Sequence, residues 1–284
     1  MTVFQELYQF FEAGLKDILT TREIQDCWRA VKEDLLLPLQ ADGAAAKEYN
    51  TIPKTVKEAV QQIQSGTPIQ YITKTVYFYG LQFRSDKRAL IPRPETEELT
   101  HWALQDIQSS TERPMSILDV GTGSGCIPIV LKKKHPSHKV SGIDISRDAL
   151  SLAAENAKAH KVDILLMEAN ILEWEKNLLR QHQWDIIVSN PPYIPYSERD
   201  HMDASVIYHE PSAALFVPDH NPLLFYKTIM AYGKEHLKKG GRIYFECNEF
   251  NASEVRQHAI ELGYQKVSVK KDLQGKQRMV RMEL

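Results

Sequence analysis

The sequence predicts an α/β fold: a mainly parallel seven-stranded sheet with an antiparallel last strand, preceded by a small all-α domain. Three observations carry this. Apolar residues recur at spacings of three and four through the first stretch of the chain, strand and helix patterns alternate from residue 94 onward, and a glycine-rich turn joins the first of those strands to a helix.

In the N-terminal stretch, Phe4, Leu7, Tyr8, Phe11, Leu15 and Ile18 share one helix face. Ile24, Cys27, Trp28, Val31 and Leu35 repeat the pattern between Arg22 and Leu37, ending before Pro38, and Lys54 to Gln64 follows Pro53 as a further helix. Short amphipathic helices bury their stripes only against one another, so residues 1–66 are expected to form a helical domain. Gly66-Thr67-Pro68 breaks the pattern. Tyr71 to Phe83 is rich in β-branched and aromatic residues around a turn-like Gly80, which predicts a hairpin within a linker of residues 67–93.

Residues 94–284 carry the alternation. Strands are expected at Ser116–Val120, Lys139–Ile143, Asp163–Met167 and Trp184–Ser189, with helices at Glu95–Gln108, Cys126–Lys133, Arg147–Ala159 and Pro222–Leu237. After Gly240-Gly241 come a strand at Arg242–Cys247, a helix at Ala252–Leu262, and strands at Lys266–Lys270 and Arg278–Met282. The short link between that last pair predicts antiparallel pairing.

Composition bounds the function. The 284 residues carry 35 Lys+Arg against 37 Asp+Glu, a net charge of −2, so stable nucleic-acid binding through phosphate neutralisation is not expected. Cys27, Cys126 and Cys247 form no Cys-x-x-Cys pair, and the ten histidines show no metal-ligand spacing, so neither a disulfide framework nor a metal is expected. No run of about 18 apolar residues exists, and Gln5, Glu6 and Gln9 interrupt the start, so a cytoplasmic protein without a membrane partner is expected.

Two segments carry chemistry. Leu118 to Gly125 reads L-D-V-G-T-G-S-G, and its glycines at 121, 123 and 125, with Thr122 and Ser124 between them, let backbone N–H groups approach a ligand. The spacing is G-x-G-x-G, not the G-x-G-x-x-G of dinucleotide sites. Asp144 ends the next strand about twenty residues later, where a carboxylate can accept from both ribose hydroxyls. Glycine turn plus strand-end acid is the arrangement of the class I methyltransferases, a Rossmann-like fold that binds S-adenosylmethionine.

The second segment, Trp184 to Tyr193, is a buried strand running into Asn190-Pro191-Pro192-Tyr193 at the end where open α/β sheets hold ligands. The two prolines stiffen the loop and hold Asn190 extended. If the Asn190 side-chain oxygen and the Pro191 carbonyl each accept one N–H of a planar –NH₂ group, its nitrogen lone pair faces the donor methyl, and two carbonyl dipoles meet the developing positive charge. Tyr193 can stack on the planar group. This loop predicts N-methylation of adenine, guanine or glutamine without choosing among them.

Over nearly all its length the chain resembles the protein-(glutamine-N5) methyltransferases that modify class 1 peptide chain release factors. The stretches are P-I-Q-Y-I-T at 68–73, F-Y-G-L-Q-F at 78–83, L-I-P-R-P-E-T-E-E-L at 90–99, the two segments above, H-E-P-S-A-A-L at 209–215 and K-D-L-Q-G-K-Q-R at 271–278. Asn-Pro-Pro-Tyr alone also occurs in nucleic-acid methyltransferases, and the ribosomal-protein glutamine methyltransferases are similar too. R-P-E-T-E together with the helical N-terminal domain discriminates among these.

The resemblance implies methyl transfer from S-adenosylmethionine to the glutamine of the Gly-Gly-Gln motif of a release factor, giving S-adenosylhomocysteine, with the helical domain helping to dock that substrate. It implies that Gly121 to Gly125, Asp144, Asn170, Ile171 and Asn190 face the cofactor. It places Asn190 to Tyr193 on the glutamine, with Arg93 and Glu95 shaping the pocket. Two departures stand out: Asn170 in E-A-N-I-L, where the family commonly has Asp, and E-C-N-E-F at 246–250, where Glu246 is expected to position a loop.

Overall fold

The computed structural model describes residues 2–38, 52–108, 113–176 and 178–284. The expected helical pattern therefore lies outside the described residues where it crosses 39–51. Two compact units emerge: residues 1–75 with 203–209, and residues 76–202 with 210–284.

In the first unit, α1 (Val3–Leu15) and α2 (Thr21–Ala30) each open on a capping box, Thr2 with Gln5 and Thr20 with Glu23, which satisfies backbone N–H groups at each helix start. The helical path after α2 continues as a π-helical turn, Val31–Leu36. With α3 (Lys54–Gln64) these elements bury Leu7, Phe11, Leu15, Ile24, Val31, Leu36, Val56 and Ile63 in one core. Ile18, expected on the buried face, is exposed, because α1 ends three residues before it.

The hairpin begins later than expected. Ile69–Thr73 is helical (α4): Pro68 has a φ suited to a helix start, its carbonyl accepts from Tyr71 N, and the Thr73 hydroxyl bonds back to the Ile69 carbonyl. Only then do β1 (Thr75–Phe78) and β2 (Leu81–Arg84) follow. The β-branched residues at 72, 73, 75 and 76 point to strand throughout, but the proline and the local bonds win for the first two.

The second unit is built on a sheet of β3 (Ser116–Val120), β4 (Lys139–Asp144), β5 (Leu165–Glu168), β6 (Trp184–Ser189), β9 (Leu237–Glu246), β10 (Gln265–Lys271) and β11 (Gln277–Glu283). The strand order is β10-β11-β9-β6-β3-β4-β5. All neighbours are parallel except those of β11, which runs antiparallel to both β9 and β10. Helices α5 (Pro94–Gln108), α6 (Cys126–Lys134), α7 (Arg147–His160), α9 (Leu224–His236) and α10 (Ala252–Glu261) alternate with the strands, and α8 (Ala204–His209) belongs to the first unit. A two-residue parallel pair, β7 (Ile194–Pro195) with β8 (Phe216–Val217), follows the proline loop.

The central strands β3 and β6 are buried on both faces, as their mainly apolar sequences suit, and this burial takes in Asp119 and Asp185. Their carboxyl ends lie side by side, Val120 opposite Ser189, and the Ser189 hydroxyl donates to the Val120 carbonyl at 2.7 Å. The glycine turn and the proline loop therefore leave the sheet at adjacent positions. Among the described residues no helix is long and apolar enough to cross a membrane.

Candidate active site

Gly121, Gly123 and Gly125 all adopt positive φ (74°, 53° and 79°), which a side chain would strain. Their N–H groups are used inside the protein: Gly121 and Thr122 donate to the Ile143 carbonyl, Gly125 to the Thr122 carbonyl, and Gly123 to Asp144 Oδ2. The three glycine N–H groups are therefore taken within the protein, and what the glycines themselves offer a ligand is shape. A Cβ on Gly121 would meet nothing within 4 Å, so open space faces the turn at that point, whereas one on Gly125 would strike Ala153 of α7 at 3.0 Å. The Asn156 side chain, also on α7, donates to the carbonyls of Ser124 and Arg84 and accepts from Arg84 N, bracing the turn against β2.

Asp144 ends β4 as expected. Its Oδ2 accepts from Gly123 N and its Oδ1 from Ser146 N, both at 2.9 Å, so it also locks the glycine turn. Each oxygen retains a second lone pair for a ligand hydroxyl. Burial raises its pKa against these N–H bonds. Ser146 caps α7 through Ala149 N.

Asp119, not singled out in the sequence, lies beneath this turn. It is fully buried opposite Gly142, and neither carboxylate oxygen has a hydrogen-bond partner among the described residues. Burial pushes it up to about 7; Asp144 adds to the shift, and the neighbouring Thr122 hydroxyl opposes it. An unpaired buried carboxylate close to open space is complementary to a cation, and S-adenosylmethionine carries both a sulfonium and an ammonium. The turn, Asp144 and Asp119 fit that cofactor on these grounds.

Asn170 and Ile171 follow β5. The Asn170 Oδ1 accepts from Leu172 N at 3.0 Å, capping a 3₁₀ turn, and the Ile171 side chain is buried in the core with Trp174. Only the backbone of Ile171 is left to face a ligand.

At the proline loop, the Asn190 Nδ2 donates to Thr96 Oγ1 at 3.0 Å, and Thr96 Oγ1 donates to Glu246 Oε2 at 2.6 Å. Asn190 Oδ1 has no protein partner among the described residues. The Tyr193 hydroxyl points at Glu246 Oε1 from 3.5 Å, long for a hydrogen bond, and burial raises its pKa. Glu246 ends β9, fully buried; its carbonyl accepts from the Tyr226 hydroxyl at 3.0 Å. Pro191 is buried and Pro192 half-buried, holding the loop against the unit.

Arg93 is paired away from the loop. Its Nη2 contacts Glu210 Oε1 at 2.5 Å, and Glu210 Oε2 accepts from Ile91 N at 3.1 Å, so the nearly buried Glu210 of H-E-P-S ties down the P-R-P-E segment. Glu95 is half-buried in the first turn of α5 and acts electrostatically on Glu246 and Tyr193. Thr96, one residue on, is the member of that string in direct contact with Asn190, and sequence reasoning missed it.

Residues 100–215 match the family described as "Methyltransferase small domain". A release factor glutamine methyltransferase of Flavobacterium psychrophilum is 37% identical over 96% of both chains. The one of Streptococcus pneumoniae is 37% identical over 87% of this chain and 84% of its own. A methyltransferase from Pyrococcus furiosus shares the fold at a TM-score of 0.52 and 15% identity, covering 80% of this chain and 98% of that one. With the fold, the glycine turn and a proline loop of this kind in place, identity over nearly the whole length settles the kinship: this chain belongs to the release factor glutamine methyltransferases, a family of S-adenosylmethionine-dependent protein-glutamine methyltransferases.

Proposed function

We propose that this protein methylates the side-chain amide nitrogen, N5, of the glutamine in the Gly-Gly-Gln motif of class 1 peptide chain release factors. The carrying observation is the presentation of Asn190. Its NH₂ is occupied by Thr96, and its carbonyl oxygen is left to accept a hydrogen bond at the end of the sheet where the glycine turn also emerges.

S-adenosylmethionine supplies, when bound, an electrophilic methyl group on a sulfonium. The residues proposed to hold it are Gly121 to Gly125, Asp144 and the segment at Asn170, with Asp119 supplying negative charge below. For the acceptor, Asn190 Oδ1 and the Pro191 carbonyl take one amide N–H each. That holds the glutamine nitrogen with its lone-pair axis free, because both N–H bonds lie in the amide plane. As the nitrogen is methylated it gains positive charge, and the two fixed carbonyl dipoles stabilise that charge. The charge is then shed as a proton to solvent, so no strong base is needed. Tyr193 walls the amide on one side.

Asn190→Ala tests this assignment. Turnover is expected to fall by about 100-fold or more, as on removal of a fixed transition-state dipole, while cofactor affinity measured by calorimetry changes by less than about threefold. Comparable losses in both would contradict the role given to Asn190.

A further inference from the structure

Resting on the reading of Asn190 as the acceptor of the substrate amide, we propose that Thr96 and Glu246 are positioning residues that hold the Asn190 amide with its NH₂ turned inward and its carbonyl oxygen turned to the substrate.

The argument is one of donors and acceptors. An Asn side chain can be turned over at almost no steric cost, because its oxygen and nitrogen are nearly the same size. In the wrong orientation its NH₂ would face the substrate NH₂, donor against donor. A carboxylate has no proton to give, so the Thr96 hydroxyl, 2.6 Å from Glu246 Oε2, must donate to it. That hydroxyl has one hydrogen, so toward Asn190 it can only accept, and the group it accepts from at 3.0 Å is Nδ2. Thr96 is 3% exposed and Glu246 1%, so water does not substitute for either link. Residues 94 and 150 positions apart in the chain, on the proline loop, α5 and β9, thus set the direction of one hydrogen-bond chain.

The same chain makes the site sensitive to one proton. A protonated Glu246 can donate to Thr96, which frees Thr96 to donate to Asn190 and favours the inverted amide. The groups facing Glu246 are Glu95 and Thr96 from α5, Tyr193 from the proline loop, Tyr226 from α9, the adjacent Cys247, and Arg278 from β11. Burial is the largest influence and, with Glu95, pushes Glu246 up to about 7, against Thr96, Arg278 and Tyr193. Turnover at saturating cofactor should therefore rise with pH through that region.

The test uses the full chain, labelled S-adenosylmethionine and a purified release factor in single-turnover reactions. Thr96→Val keeps the volume and removes the hydroxyl. It should slow methyl transfer by about 10- to 100-fold with cofactor affinity unchanged within about twofold, and Thr96→Ser should recover most of the loss. The wild-type rate should rise through pH 7, and Glu246→Gln should remove that rise. Equal losses in Thr96→Val and Thr96→Ser, or a wild-type rate in Thr96→Val beside an inactive Asn190→Ala, would overturn the positioning role while sparing the reading of Asn190. An active Asn190→Ala would overturn both. If Thr96→Val does not fold, the pH profile of Glu246→Gln decides: loss of the rise supports the inference, and a wild-type profile refutes it.

Discussion

Two fully buried carboxylates, Asp119 and Glu246, stand at the strand ends that carry this chemistry, and both are costly to the fold. Asp119 is the clearer case because it has no hydrogen-bond partner among the described residues. Its folded-state pKa is raised to about 7, so in the range between the ordinary aspartate value and 7 the folded state holds more protons than the unfolded one. Stability then falls as pH rises across that range, and the penalty is complete above it. Asp119→Asn is therefore expected to stabilise the cofactor-free protein by about 1–3 kcal/mol at pH 8, with the gain shrinking toward pH 4. Urea unfolding of variant and wild type at the two pH values measures this, and an equal difference at both would contradict it. Neither residue's environment was legible in the sequence. Asp119 reads there as one more position of a buried strand, and Glu246 stands out only by the departure of E-C-N-E-F. What gives each its character is burial by residues brought together from distant parts of the chain, to which Asp144 adds for Asp119 and the Thr96 hydroxyl bond for Glu246.

At the scale of elements, the glycine turn shows which parts of a motif transfer from sequence to structure. Positive φ at all three glycines follows from the residue type; that their own N–H groups go to the Ile143 carbonyl, Asp144 and the Thr122 carbonyl does not. Gly121 and Gly125 also differ in what a methyl group would meet. Gly121→Ala should cost about 1 kcal/mol, the backbone strain alone, and should weaken cofactor binding because the methyl enters the open space before the turn. Gly125→Ala adds contacts of 3.0 and 3.2 Å with Ala153 and should cost about 2–3 kcal/mol. Equal unfolding midpoints for the two variants would contradict this. Strands β3 and β6 were legible residue for residue, since each is a short, mainly apolar and β-branched run, interrupted only by Asp119 or Asp185, with polar or turn-forming residues at its borders. The first residues expected in the hairpin were not, because Pro68 starts a helical turn there. The pair Ile194–Pro195 and Phe216–Val217 is too short to leave a period-two pattern.

For the whole molecule, a near-neutral charge and a separate helical unit suit a protein acceptor better than a polynucleotide, although neither feature names one. The mainly parallel sheet follows from the alternation of strand and helix, and the antiparallel pairing of β10 with β11 from the tight link between them, whereas the strand order emerges only in the structure. The substrate is not written in that architecture. It rests on the loop at Asn190 and on kinship over nearly the full length of the chain. The most direct measurement is transfer of labelled methyl from S-adenosylmethionine to a purified class 1 release factor, wild type beside a form whose Gly-Gly-Gln glutamine is replaced by alanine, with DNA and RNA as parallel acceptors. Label in the wild-type factor alone is the expected result. Equal labelling of both factors, or label only in nucleic acid, would contradict the account.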